Sequence, residues 1–110
     1  MTIDDLLKQQ PLTTISQGDT SREISQVFCC DLLSVAMSKA PADCAWVTVM
    51  GNVNTLAVAS LTDAACVVLA EGTVLDEAVI EQAKVQGLTV LATGEPVFDT
   101  ALAIHQQLNA

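Results

Sequence analysis

From residue 26 onward, short apolar runs alternate with longer stretches in which apolar residues recur at helical spacing. The predicted strands are 26–30, 44–50, 65–70 and 88–93. The predicted helices that follow them are 31–40, 52–62, 75–87 and 95–108. The last three strands are hydrophobic at nearly every position, which is typical of strands buried on both faces of a parallel sheet. This alternation predicts an α/β fold with a mostly parallel sheet flanked by helices.

The first 25 residues follow a different pattern. Residues 2–9 are predicted to form a short helix that Thr2 caps, and Pro11 prevents its continuation. Two short runs with β propensity then surround Gly18 and predict a hairpin or a loose turn. This region is the candidate N-terminal antiparallel edge of the sheet. Because the chain shows no linker and no repeat, a single domain over residues 1–110 is predicted.

Polar residues and one glycine mark the ends of the predicted helices. The expected N-caps are Asp31, Asn52 and Asp76, and Gly87 is the expected C-terminal glycine of the third of these helices. Apolar side chains at helical spacing are expected to face the core. They are Leu32, Leu33, Ala36 and Met37, then Val53, Leu56, Ala57 and Leu61, then Val79, Ile80 and Ala83, and finally Phe98, Ala101, Leu102 and Leu108.

Composition and charge narrow the range of partners. Hydrophobic residues make up 51% of the chain and aromatic residues only 3%, so the core must consist mainly of Ala, Val, Leu and Ile. The formal net charge is −9, and the only fixed positive side chains are Lys8, Arg22, Lys39 and Lys84. Four dispersed cations cannot form the basic patch that nucleic acid or an anionic membrane surface requires. With no secretory signal and no membrane-span pattern, a cytoplasmic location is expected.

No pattern of metal-ligating, redox or catalytic residues emerges. Cys29, Cys30, Cys44 and Cys66 form no C-x-x-C pair, and each lies in or beside an apolar run, so buried cysteines are predicted. The spacing of the acidic residues does not require a metal, and no cofactor is expected. The single histidine, His105, is predicted to be a surface or half-buried side chain rather than a general base.

The loops after the four predicted strands are the candidate ligand site, because ligands of open α/β sheets bind beyond the carboxyl ends of the strands. The candidate ligand-binding residues are Asp31, Gly51, Asn52, Asn54, Glu71, Gly72, Thr93 and Gly94. Phosphate-binding motifs of the G-x-x-x-x-G-K and G-x-G-x-x-G types are absent, and Glu71 and Glu95 would repel an anion. Gly51 and Asn52 therefore have two interpretations, a turn with a helix cap or a ligand contact.

Three stretches carry a resemblance to a known family: "DLLSVAM", "AWVTVMGNVNTLAVASLTDAACVVLAEG" and "AKVQGLTVLATGEPVFDTALAI". From about Val27 to Leu108 the chain resembles the DRTGG-domain family, in particular small stand-alone DRTGG-like proteins related to the N-terminal domain of HPr kinase/phosphorylase. The two motifs that name the family are changed here. Gly51-Asn52-Val53 stands in place of Gly-Asp-Arg, and Ala70-Glu71-Gly72 in place of Thr-Gly-Gly.

The resemblance implies a regulatory or scaffolding α/β domain that is often found beside CBS domains and is often dimeric. The leading hypothesis is therefore a non-catalytic regulatory or interaction domain that forms a homodimer and senses a small ligand at the strand-end loops. A second hypothesis is an accessory protein or residual enzyme in serine phosphorylation linked to HPr kinase-like systems. A third is a partner protein of a sensor kinase or a hydrogenase. Trp46, the only tryptophan, is either a core residue or an interface anchor.

Overall fold

The computed structural model describes all 110 residues as five strands and five helices. In chain order the elements are α1 (Ile3–Gln9), β1 (Thr13–Ser16), β2 (Val27–Cys29), α2 (Leu33–Lys39), β3 (Ala45–Thr48), α3 (Val53–Leu61), β4 (Cys66–Leu69), α4 (Glu77–Gln86), β5 (Thr89–Ala92) and α5 (Val97–Leu108). None of the helices combines the length and hydropathy needed to cross a membrane.

The strands form a single sheet in the order β1-β5-β4-β3-β2. Strands β2 to β5 are mutually parallel, and β1 runs antiparallel to β5, with Thr13 opposite Ala92. The predicted α/β class and the antiparallel N-terminal edge are therefore confirmed. The predicted hairpin around Gly18 is wrong, because β1 pairs with the distant β5 and not with the run that follows it. Ser16 strengthens this pairing by donating its hydroxyl to the Leu88 carbonyl at 2.9 Å.

The helices divide between the two faces of the sheet. Because β2 to β5 lie side by side in chain order, right-handed connections place α2, α3 and α4 on the same face. Their buried residues, such as Ala36, Leu56 and Ala83, share a cluster with Trp46. Helices α1 and α5 cover the other face, where Ile104 belongs to a second cluster with buried residues of β3, β4 and β5. Each strand of the sheet's centre is thus buried on both sides, as predicted.

Some predicted helix caps are confirmed and others are wrong. Asn52 caps α3 by accepting a hydrogen bond from the Thr55 amide at 3.0 Å, and Gly87 ends α4 in the left-handed conformation at φ 67°. Asp31 does not cap α2, which begins at Leu33 without a side-chain cap. The side chain of Asp76 also makes no capping hydrogen bond.

The inward faces of α2, α3 and α5 differ from the prediction. At α2, Leu32 and Met37 are exposed and only Ala36 is buried. In α3 the buried residues are Thr55, Leu56 and Ala59, whereas Val53 and Leu61 are exposed. The apolar residues of α3 are spread around the helix and no continuous polar stripe marks its solvent face, so its orientation is set by packing. In α5, Thr100 and Ile104 are buried, and the side chains of Phe98 and Leu102 are 70% and 39% exposed. The last two residues consequently form surface rather than core.

Candidate functional site

The four strand-end loops meet at one edge of the molecule, because the strands that precede them are parallel and adjacent. Asp31 follows β2, residues 51–54 follow β3, residues 70–72 follow β4 and residues 93–95 follow β5. All candidate ligand residues predicted from the sequence therefore lie at this strand-end edge. Hydrogen bonds and close packing connect the neighbouring loops.

The Asp31 carboxylate connects the loop after β2 to the end of β3 and the loop that follows it. Its Oδ1 accepts hydrogen bonds from the Thr48 hydroxyl at 2.7 Å and from the Val49 amide at 3.0 Å. This arrangement replaces the helix cap predicted for Asp31. The carboxylate orients the end of β3 and the start of the loop that contains Gly51.

Gly51 lies under the loop that follows β4. A Cβ at this position would stand 2.5 Å from Leu75 Cδ2 and 3.0 Å from Thr73 Cγ2, so a glycine allows the two loops to touch. Beside it, Asn52 caps α3 and Asn54 is an exposed residue in the first turn of that helix. The structure thus supports the structural interpretation of Gly51 and Asn52, while a ligand contact remains a prediction.

Glu71 connects the loop after β4 to the loop after β5. Its backbone adopts a positive φ of 62°, its amide donates to the Glu95 carbonyl at 2.8 Å, and Gly72 donates to the Thr93 carbonyl at 3.0 Å. The Glu71 carboxylate accepts a hydrogen bond from the Val97 amide at 2.9 Å. The N-terminus of α5, where a helix attracts anions, is therefore occupied by a carboxylate of the chain itself.

The charges at this edge are acidic. Asp31, Glu71 and Glu95 lie in the loops, and no Lys or Arg does. The only arginine, Arg22, is held elsewhere by ion pairs of 2.9 Å to Asp43 and to Asp63. A polyphosphate would meet like charges here and find no cation to bind it.

A cavity of about 260 Å³ borders the strand-end edge between α5 and the segment that joins α1 to β1. Thr93 and Glu95 line it at the end of β5, Asp99 and Ala103 line it from α5, and residues 10–12 close the other side. Its only charged side chains are carboxylates. Its volume lies just below the roughly 300 Å³ at which pockets for drug-sized ligands begin, so only a smaller molecule fits.

Of the predicted site residues, only Thr93 lines this cavity. The others, which line no cavity in the structure, are Asp31, Gly51, Asn52, Asn54, Glu71, Gly72 and Gly94. Their role as ligand contacts stays a prediction. Residues 10–12 and Asp99 were not predicted as site residues, because the N-terminal segment and α5 come together only through tertiary packing. Pro11, which follows directly on α1, was the one local sign of a sharp change of direction there.

A second, apolar groove of about 300 Å³ runs along the opposite flank of α5. It is lined by Val27, Cys29, Phe98, Ala101, Leu102 and His105. This groove was not predicted, because the spacing of Phe98 and Leu102 in α5 indicated core positions. Helix α5 thus separates the acidic cavity on one flank from the apolar groove on the other.

The four cysteines differ in burial. Cys44 and Cys66 are buried as predicted, and this burial raises the pKa of the Cys44 thiol to about 11 and that of Cys66 to about 12. Cys29 is exposed, which corrects the prediction, and partial desolvation together with Asp31 raises the pKa of its thiol. No group of three metal-ligating side chains comes together anywhere in the structure.

Trp46 lies in the core and His105 lies on the surface. Trp46 is fully buried, and its indole N–H donates to the Cys30 carbonyl at 3.0 Å, so the core interpretation is confirmed. His105 lies exposed on α5 beside the apolar groove, as a surface histidine.

Comparison with known proteins supports the fold. No family model matches the chain, and no match is found among curated proteins. A solved structure of the CBS and DRTGG domains from the regulatory region of Clostridium perfringens pyrophosphatase superposes with a TM-score of 0.77. The chain has a DRTGG-like fold. The sequence identity is 14%, and the alignment covers 96% of this chain.

This DRTGG-like chain corresponds to only part of its structural neighbour, since the alignment covers 46% of that protein. The neighbour belongs to a regulatory region and was solved in complex with an activator, diadenosine tetraphosphate. Regulation and nucleotide binding are properties of that protein. At 14% identity the likeness establishes the shared fold.

Proposed function

We propose that this chain is a non-catalytic regulatory or interaction domain, cytoplasmic and homodimeric, that senses a small ligand at the strand-end edge. The observation that carries the proposal is the position of α5 between two surfaces. One flank borders the acidic cavity beside Thr93 and Glu95, and the other forms the apolar groove beside β2. A ligand and a protein partner would therefore contact the same helix. The regulatory role of the structural neighbour is consistent with this proposal.

Hydrogen bonds of the loop after β5 connect the acidic cavity to the N-terminus of α5, the helix that also forms the apolar groove. Thr93 and Glu95 line the cavity, and their carbonyls accept the backbone hydrogen bonds from Gly72 and Glu71. Glu71 in turn binds the first amide of α5 at Val97. A ligand that displaces this loop would shift the N-terminus of α5 and with it the groove on the far flank. Such a shift is the kind of small helix movement that transmits regulation in other proteins.

The charge of the cavity indicates the ligand class. Glu95 and Asp99 are its only charged lining residues, so a small neutral or cationic molecule fits and a polyphosphate does not. In this respect the proposed ligand differs from the diadenosine tetraphosphate of the structural neighbour. A role in serine phosphorylation, or as a partner of a sensor kinase or hydrogenase, rests on the sequence resemblance alone and ranks second.

Ligand mapping by nuclear magnetic resonance tests the proposal. Nitrogen–proton correlation spectra would be recorded with a set of small neutral and cationic fragments. We expect the amides that shift to cluster at residues 93–95 and 99–104. The change Ala103→Phe fills the cavity and should abolish these shifts, whereas Ala78→Phe, at an exposed position of α4, should leave them unchanged. Fragments that bind only elsewhere, or that bind the Ala103→Phe variant equally well, would contradict a ligand site in this cavity.

A further inference from the structure

Strand β2 is a free edge of the sheet with hydrogen-bonding groups that no other strand uses. It pairs only with β3, and in this pairing Phe28 of β2 lies opposite Trp46 of β3. The Gln26 carbonyl accepts a hydrogen bond from the Ala45 amide at 2.9 Å. Because main-chain groups alternate in direction along a strand, the amides and carbonyls of Val27 and Cys29 point away from the sheet. An exposed edge of this kind is a template for one further strand.

The surface beside this edge is apolar and uncharged. Val27 and Cys29 line the groove of about 300 Å³ together with Phe98, Ala101 and Leu102 of α5. No Asp, Glu, Lys or Arg lines it. Phe98, with 70% of its side-chain area exposed, is a large aromatic group of the type that anchors protein interfaces.

The charge of the chain indicates which surface a second copy could use. Two molecules with a net charge of −9 repel each other, and the outer faces of α1 and α4 carry acidic residues such as Asp4 and Glu81. An uncharged surface is where two such molecules can approach with the least repulsion. A basic partner protein would be attracted to the acidic faces instead and would gain nothing from this groove.

We propose that two copies of the chain pair through their β2 strands, which run antiparallel about a two-fold axis at Phe28. Phe98 and Leu102 of each copy pack in the interface. In this register Val27 of each copy lies opposite Cys29 of the other. The outward amides and carbonyls of each strand then bind those of its copy, so that one sheet continues through the dimer. An antiparallel pair of identical edges satisfies two-fold symmetry without any change in the fold. This inference deepens the proposed homodimer by assigning its interface.

The oligomeric state of matched variants tests the interface. Sedimentation equilibrium would be measured for the wild-type chain, for Phe98→Glu and for the control Val85→Glu, which places the same charge at an exposed position of α4. We expect a wild-type dimer, a dissociation constant at least about 10-fold higher for Phe98→Glu, and no change for the control. A wild-type dimer that Phe98→Glu leaves intact would overturn this interface but not the homodimer. A wild-type monomer would overturn both the interface and the homodimer.

A cysteine pair tests the register independently. In the proposed dimer, the change Val27→Cys places the new thiol opposite the second copy's Cys29, with a Cα separation of about 5.5 Å that a disulfide can span. We expect mild oxidation to link the Val27→Cys chain into a covalent dimer whose bridging peptide joins positions 27 and 29. The wild-type chain should stay unlinked, because its two Cys29 residues are not opposite each other. Failure of a dimeric Val27→Cys chain to form this link would overturn the register.

Discussion

Replacing Trp46 by alanine is expected to lower the free energy of unfolding by about 3–5 kcal/mol, the range for removal of a buried tryptophan. The side chain is fully buried in β3. Its ring packs beside Phe28, with centroids 6.4 Å apart and planes tilted by 57°. Its N–H also satisfies the Cys30 carbonyl at the end of β2. Alanine would leave a cavity where α2 and the first two parallel strands meet, and it would remove the hydrogen bond.

Urea unfolding followed by circular dichroism measures this loss, since the variant has no tryptophan fluorescence. The change Val74→Ala is a suitable control, because Val74 is 88% exposed in the loop between β4 and α4 and should contribute less than about 0.5 kcal/mol. A loss below about 1 kcal/mol for Trp46→Ala would mean that the side chain is not a core residue.

Replacing Gly18 by alanine is expected to cost about 3 kcal/mol, through overpacking and lost hydrogen bonds. An added Cβ would overlap the Gly87 carbonyl oxygen and would stand 2.9 Å from its carbon. These are backbone atoms at the end of α4, and they cannot turn aside as a flexible side chain can. The segment after β1 would have to move outward. It would then lose the 3.0 Å hydrogen bond from the Gly18 amide to the Thr89 hydroxyl.

The control for this change is Gly94→Ala. No atom lies within 4 Å of a Cβ at position 94, and its backbone does not adopt a left-handed conformation. Thermal unfolding should therefore show a midpoint close to that of the wild type for Gly94→Ala and a clearly lower one for Gly18→Ala. Equal midpoints for the two variants would refute the close approach of the Gly18 segment to the end of α4.

Most of the fold follows from local pattern. Continuous apolar runs such as 65–70 identify strands buried on both faces, and alternation with helices fixes the parallel sheet. The antiparallel pairing of β1 with β5 joins segments about 75 residues apart in sequence, and no local signal determines it. The faces of α3 and α5 were also beyond prediction, because Val53 and Phe98 are as apolar as residues that the core does bury.

The candidate site was predictable only in part. The rule that ligands bind at strand ends brought the four loops together correctly, and it included Thr93. The role of Glu71 was missed, because its carboxylate binds the amide of Val97, which lies far along the chain and is brought near by packing. The cavity escaped prediction for the same reason, since one wall comes from residues 10–12 and the other from α5.

We propose that this chain, which has a DRTGG-like fold, is a regulatory domain with an acidic ligand site and not a phosphotransfer enzyme that uses nucleotides. Isothermal titration of the wild-type protein with ATP and magnesium tests this claim most directly. Because the strand-end loops contain no Lys or Arg and Glu71 occupies the N-terminus of α5, we expect no binding tighter than about 1 mM. Saturable binding with a dissociation constant of a few micromolar would contradict the claim and favour the role in phosphorylation.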